Sequence, residues 1–392
     1  MRDVSGARLT ADISRRRLLR AAGHLTLTVA GSWFLASCSS SRTPAPRSVE
    51  GNLGGVLNFL GYDGEEGGNV AKAFLESNGI KMQATFQSSA DEALTKFQTG
   101  GRGSMDIIAS NKDFLRAVLA SEVEFLQPLD LRRIPNAAGL FPAFKNAPWT
   151  TRRGQTFALP LIWGDEPCIY NPKKWDGVPP KYTDFAHPRY KGELVFLNDP
   201  FSNIWLYATS LKMPQPHRLT QKELDEVMAA LLTVKPNIVA FGASLGDMVD
   251  IMIRGDASIG IAGWAFQTII AARKGIELVA ASPAEDGTFL WCDAYSIALD
   301  APNLDNAYAF INFMMSAPSN AAIATELGSG ATIEKAWDLL DPKSSILFPY
   351  DTVRDSTGGI LNSQIIIPPQ QDEGDVVGAA KWAKAWERFR LG

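Results

Sequence analysis

From residue 55 onward the hydrophobic positions fall into short blocks that alternate between two spacings. Val56-Leu57-Asn58-Phe59-Leu60 is an apolar run of strand length. The loop GYDGEEGG (61–68) follows, and then Val70, Phe74 and Leu75 share one helical face, which predicts a helix over about 69–78. A strand is expected at 81–86. Ser89-Ala90-Asp91-Glu92 has capping-box spacing and opens a helix carrying Leu94 and Phe97, ending at Gly100-Gly101. The run MDIIA (105–109) reads as a strand and 112–121 as a helix. Strand and helix thus alternate, the order of a parallel sheet covered by helices.

The middle of the chain repeats this style. A strand at 193–197 leads through Asn198-Asp199-Pro200 into a helix over about 202–211. Thr220 and Glu223 form a second capping box before a helix at 221–233, and Ser244 caps one that runs to Arg254. Strand 257–262, helix 264–274 and strand 276–280 complete a second α/β unit. Helices return at 303–316 and 318–327. A last helix, about 375–390, sets Trp382, Trp386 and Phe389 on one face, the spacing of core packing.

Between the second unit and those helices lies TFLWCDAYSIAL (288–299). It reads as a strand, yet Asp293 stands two positions after Trp291, so the acid and the indole share a face. Two readings are open: a strand end that reaches solvent, or half of a box for an organic cation, an aromatic wall with a counter-charge.

The N-terminus has a different character. Ser14-Arg15-Arg16-Arg17-Leu18-Leu19-Arg20 fits a twin-arginine export signal, and an apolar stretch runs on to Leu35-Ala36-Ser37-Cys38, which fits a bacterial lipobox. Residues 1–37 are therefore expected to be a signal peptide. Cys38 would be the lipidation site, and 38–54, rich in Ser, Pro and Gly, a flexible tether.

The 392 residues, 46% hydrophobic and 20% charged, have ordinary globular composition and enough length for two or three domains. The first 37 residues hold six of the 38 basic and two of the 42 acidic residues, so the remainder carries a formal net charge of −8. That balance argues against nucleic acid as a partner and agrees with a cationic ligand. With Cys38 committed to lipid, Cys168 and Cys292 remain, either as a disulfide or as buried thiols. Their spacing does not resemble a metal site.

Much familiar chemistry lacks material. Of three histidines, His24 falls in the export segment, while His187 and His217 sit beside prolines in loops. A Ser-His-Asp or Cys-His system is therefore not expected. Neither a P-loop nor a strand-GxGxxG-helix fingerprint occurs. Gly100-Gly101-Arg102-Gly103 follows a helix and reads as a turn, and there is no Tyr-Tyr pair of the kind used for iron(III).

What recurs is acid and aromatic residues at strand ends, where open α/β sheets bind ligands. Tyr62, Asp63, Glu65 and Glu66 follow the first strand; Asn111 and Asp113 follow the third. Trp163, Asp165 and Glu166 lie in the connection between the units. Asp199 follows the first strand of the second unit, Trp264 a later one, and Trp291 and Asp293 come last.

These residues occur among segments that, in order and spacing, resemble the periplasmic spermidine/putrescine-binding proteins of bacterial ABC importers over most of 55–392. The segments are Asp106-Ile107-Ile108, Pro160-Leu161-Ile162-Trp163-Gly164 with Asn171, Tyr190-Lys191-Gly192, Lys235-Pro236-Asn237, Phe289-Leu290-Trp291-Cys292-Asp293, and the helix carrying Ile311-Asn312-Phe313-Met314. The resemblance implies a two-lobe flytrap fold, each lobe a mainly parallel sheet flanked by helices. Lobe 1 would be 55–165 with about 294–337, and lobe 2 would be 166–293 with about 338–392.

The resemblance further implies a ligand site at the hinge. Asp293 matches a carboxylate that pairs with a ligand ammonium, Trp291 an aromatic on the polyamine chain, and Asp199 a second-lobe carboxylate. Tyr62 stands where the family has tryptophan. Glu65 and Asp113 replace aromatics, Asn111 replaces serine, Ser202 replaces a glutamate, and Trp264 is offset by one position from the family's tryptophan. The expected role is a receptor that captures a polyamine and passes it to a membrane permease. It would be a non-enzyme, a monomer without cofactor or metal, exported to the periplasm or the outer face of the membrane. Another cationic or zwitterionic solute, or an exported carboxylate-dependent hydrolase, are the alternatives.

Overall fold

The computed structural model describes residues 53–392 except 88–95, 97–102, 122–123, 146, 346, 349 and 356–358. The export signal, Cys38, nearly all of the tether and the capping box at Ser89 lie outside the described residues.

Among the described residues, thirteen strands form two main sheets and a small hairpin. They are β1 (Gly55–Gly61), β2 (Ile80–Phe86), β3 (Ile107–Asn111), β4 (Thr151–Arg152), β5 (Gln155–Thr156), β6 (Ala158–Asp165), β7 (Cys168–Tyr170), β8 (Leu194–Leu197), β9 (Ile238–Gly242), β10 (Ile259–Ile261), β11 (Val279–Ala281), β12 (Leu290–Ile297) and β13 (Gly330–Ala331). The first sheet has the order β13-β6-β12-β3-β1-β2 and the second β11-β7-β10-β8-β9. The two-lobe α/β architecture is the expected one, but each sheet is parallel on one side only. β2, β1 and β3 run parallel while β12, β6 and β13 are antiparallel to their neighbours. β9, β8 and β10 run parallel, while β7 is antiparallel to both of its neighbours, β10 and β11. β6, β7 and β12 adjoin the points where the chain passes between lobes, and β6 reaches β7 with no helix between them.

Strand alternation splits the second lobe into two cores. Cys168, Leu194 and Phe196 face one apolar cluster, and Ile169 and Val195 face the other, with Met248 and Met252 of the helix Leu245–Arg254. The helix Ala379–Leu391 closes the first of these with Trp382, Trp386 and Phe389, each at most 3% exposed. The capping box at Thr220–Glu223 and the Ser244 cap form as their spacing predicts. β6, β7 and β9 escaped the pattern reading. β6 is buried along most of its length and shows no alternation, and β7 is only three residues long.

The lobe boundaries differ from expectation at two places. Residues 290–293 belong to the first lobe, because β12 is paired along its length between β6 and β3. Leu340, Phe348, Tyr350, Val353 and Leu361 also join the first core, not the second. Tyr350 meets Trp163 edge-on at 5.3 Å, and its hydroxyl accepts a hydrogen bond from Ala331 N at 2.8 Å. The chain thus crosses between lobes three times, at 166–167, 282–289 and 362–365.

Cys168 and Cys292 are both free and buried, so the disulfide alternative is excluded. Burial pushes both thiols well up.

Candidate functional site

The site assembles around the hinge, at the ends of β1, β3, β6, β8 and β12. At the end of β1 the chain turns back, with Glu65 N donating to Tyr62 O and Gly67 N to Gly64 O, both at 3.2 Å. Gly64 takes φ +92°, and a Cβ there would lie 2.5 Å from Leu327, so only glycine lets the loop close this tightly. The turn aims Glu65 inward, where it is 2% exposed. Its Oε2 accepts from Tyr62 N at 3.0 Å, and the Tyr295 hydroxyl donates to its carbonyl.

Asp293 meets Glu65 there. It stands directly across the β3–β12 ladder from Asn111, whose Nδ2 donates to Asp293 Oδ1 at 3.2 Å. Asn111 also caps the helix Lys112–Ala120, its Oδ1 accepting from Asp113 N at 3.1 Å. One amide therefore fixes both a helix start and the orientation of the acid. Burial and the nearby Asp293 charge push Glu65 well up, and burial pushes Asp293 up to about 6. Two buried carboxyls in contact cannot both ionise cheaply, so the pair holds a proton, chiefly on Glu65.

Beside them stand two tryptophans, one from each lobe. Trp291 on β12 lies across Gly164 of β6, where a Cβ would come within 2.5 Å of the indole. Its Nε1 donates to Asp165 O at 3.2 Å. Trp264 follows β10 through Ala262, held in the left-handed region at φ 57°, and stacks on Trp291 with ring centroids 4.5 Å apart and planes 20° from parallel.

On the second lobe Asp199 caps the helix Pro200–Ser210, its Oδ1 accepting from Phe201 N at 2.8 Å. Ser202 Oγ donates to its Oδ2 at 2.9 Å. Next to this cap lies Glu166, 7% exposed, which burial and the Asp199 charge push well up. Burial likewise raises Asp199, and raises Asp165 to about 6. Among the described residues no lysine or arginine forms an ion pair with Glu65, Asp165, Glu166, Asp199 or Asp293. Nor, among them, do three Asp, Glu, His or Cys side chains gather as metal ligands.

The structure thus brings Glu65, Asn111 and Asp293 together, pairs Trp264 with Trp291, and joins Asp199 to Ser202. Tyr62, half-buried, enters through its backbone N–H. Asp113 goes elsewhere: its Oδ1 lies 3.9 Å from Lys112 Nζ, and its charge acts on Lys112, Arg116 and His217. Its helical position turns it away from the pair that Asn111 serves. Trp163 is fully buried in the first core, its Nε1 donating to Ala331 O at 3.0 Å.

The third crossing supplies a residue that no sequence pattern announced. Gln364 Nε2 donates to Thr288 O at 3.1 Å and its Oε1 accepts from Leu290 N at 2.8 Å. Its carbonyl takes the buried Lys112 ammonium at 2.7 Å. It ties the second and third crossings to the helix behind Asn111. A glutamine 74 residues from its partner Leu290 carries no local signal.

Matches to known proteins agree with this geometry. A family model described as bacterial extracellular solute-binding protein matches residues 69–349. The spermidine/putrescine-binding periplasmic protein of Escherichia coli is 24% identical over 278 residues, 70% of this chain and 76% of that protein. The crystal structure of the spermidine/putrescine ABC transporter substrate-binding protein PotD from Streptococcus pneumoniae superposes with a TM-score of 0.69 at 23% identity, covering 86% of this chain and 98% of that one. The Tp0655 (TpPotD) lipoprotein of Treponema pallidum gives 0.67 at 18% identity over 86% and 100%. The chain belongs to the bacterial extracellular solute-binding proteins, which hold a solute rather than transform it.

Proposed function

We propose that this protein is the receptor of an ABC importer and captures a polyamine between its lobes. The observation that carries the reading is the buried Glu65–Asp293 pair, without a basic partner, beside the Trp264–Trp291 stack. Such an arrangement lacks only a cation with an apolar stem: an ammonium replaces the shared proton, and the methylene chain covers the indoles. The names of its relatives, spermidine/putrescine-binding proteins at about a quarter identity, support the same solute class.

The magnitudes suffice. Micromolar affinity corresponds to about 8 kcal/mol. Charge-assisted hydrogen bonds contribute roughly 1.5–3 kcal/mol each, and a desolvated cation–π contact adds about 2. Three acids at the upper value together with two indoles reach about 13 kcal/mol, which leaves about 5 kcal/mol for the cost of association. Ligand that touches both lobes favours the closed state, and closure marks the loaded receptor for the permease. In the same reading residues 1–37 direct export, Cys38 carries the lipid that holds the protein at the membrane, and the receptor works as a monomer without cofactor or nucleic acid.

Calorimetric titration of the purified protein with putrescine, spermidine, spermine and arginine tests this. Micromolar or tighter polyamine binding, abolished in Asp293→Ala, is expected. Silence towards the three polyamines, or binding of arginine alone, would refute it.

A further inference from the structure

Glu166 is the first residue beyond β6, on the first crossing. Its N–H donates to Phe289 O at 3.3 Å, which extends the register in which Asp165 faces Leu290 and Gly164 faces Trp291. Alternation then places Glu166 on the face that bears Trp291 and Asp293. Along that face Glu166 is level with Phe289, Trp291 comes two residues later and Asp293 four. At roughly 3.3 Å per residue the two acids are about 13 Å apart in strand level, with the indole midway.

The surroundings of Glu166 leave it incomplete. Its Oε2 is buried with no hydrogen-bond partner. Ser202 and Trp264 are near enough to ease its ionisation, but the Ser202 hydroxyl proton is committed to Asp199. Its charged neighbours are Asp199 and Asp165, both acids. An unpartnered buried carboxylate oxygen between like charges is strongly unfavourable, and none of the described residues supplies the counter-charge.

We propose that Glu166, backed by Asp199 and Asp165, is a second cation subsite at the hinge, opposite Asp293 across the Trp291 indole, and that it selects a linear polyamine longer than a four-carbon diamine. This deepens the polyamine reading and rests on it. An extended chain of bonds about 1.5 Å long advances roughly 1.3 Å per bond. The five bonds between the nitrogens of putrescine span about 6 Å, and the nine between the terminal nitrogens of spermidine about 11 Å. With a hydrogen bond at each end and the carboxylates leaning inward, the longer chain matches the spacing and the shorter reaches one subsite only. Each ammonium that arrives displaces a proton from its carboxyl pair to the buffer.

The test is titration of the full protein, Glu166→Gln and Asp293→Asn with butylamine, putrescine and spermidine, in two buffers of different ionisation enthalpy so that released protons are counted. The parent protein is expected to bind spermidine at least tenfold more tightly than putrescine. Glu166→Gln should weaken spermidine about 10- to 100-fold, to the level of putrescine, and release about one proton fewer. It should leave putrescine within about threefold, whereas Asp293→Asn weakens both. A Glu166→Gln protein that binds spermidine like its parent overturns the subsite and leaves the polyamine reading intact. Equal affinity of the parent for putrescine and spermidine overturns the length selection without any variant. A parent silent to all three removes both readings together.

Discussion

Acidification should weaken ligand capture, and the paired carboxyls set the scale. Asp293 is pushed up to about 6, chiefly by burial, and Glu65 further by burial and the Asp293 charge. An incoming ammonium needs the anionic form, so binding shifts the group back towards the ordinary carboxylate range and expels its proton. A group with pKa about 6 is about nine-tenths protonated at pH 5 and about one-tenth at pH 7. Spermidine affinity should therefore fall about tenfold from pH 7 to pH 5 through Asp293 alone, about 1.4 kcal/mol, and further if Glu65 also discharges. Titrations at pH 5, 6, 7 and 8 read the slope, and buffer pairs read the proton count. Asp293→Asn should flatten the slope along with most of the affinity. The same shifts act on stability in the opposite sense. An acid whose folded pKa is raised binds more protons folded than unfolded, so the contribution of these groups to the stability of the ligand-free protein is greatest below about pH 4 and is lost as pH rises through about 6. Asp165, raised by burial from 3.8 to about 6, accounts for at most roughly 3 kcal/mol of that loss. Affinity flat between pH 5 and 8 with no proton release would refute the shared-proton account.

Other substitutions report on single elements of the site. Gly164→Ala puts a methyl within 2.5 Å of the Trp291 indole and must displace it; polyamine affinity should drop at least tenfold with a fall in melting temperature of a few degrees, as seen by calorimetry and thermal unfolding. Asn111→Ala removes a helix cap and a bond to Asp293, with an expected loss of about 1–2 kcal/mol in denaturant unfolding; unchanged stability would show that the amide does neither job. Trp382→Ala should cost about 3–5 kcal/mol while leaving ligand affinity per folded molecule intact, because that side chain is fully buried in the second core.

The binding chemistry was partly legible in order along the chain. Trp291 and Asp293 announced themselves because an i, i+2 pair in a strand shares a face whatever the rest of the fold does. Asp199 was legible because an acid before a proline at a strand-to-helix junction is both a cap and a strand-end group. Asp113 looked equivalent to Asn111, two positions away, but helix geometry turned it towards Lys112 and Arg116. That Leu340, Phe348, Tyr350, Val353 and Leu361 join the first core was not legible, because short helical segments carry no label of the core they join; Tyr350 finds Trp163 only in space.

The sequence by itself determined the alternation of strands and helices, the caps at Thr220 and Ser244, the apolar face of the last helix and the family, since these rest on spacing within a few residues of one another. The tertiary structure alone decided that Glu65 meets an acid 228 positions away, that Gln364 ties two crossings together, and that Glu166 lies beside Asp199 with its Oε2 buried and without a hydrogen-bond partner. Ionisation and hydrogen bonding depend on burial and on neighbours brought in by distant chain, and no local period encodes either.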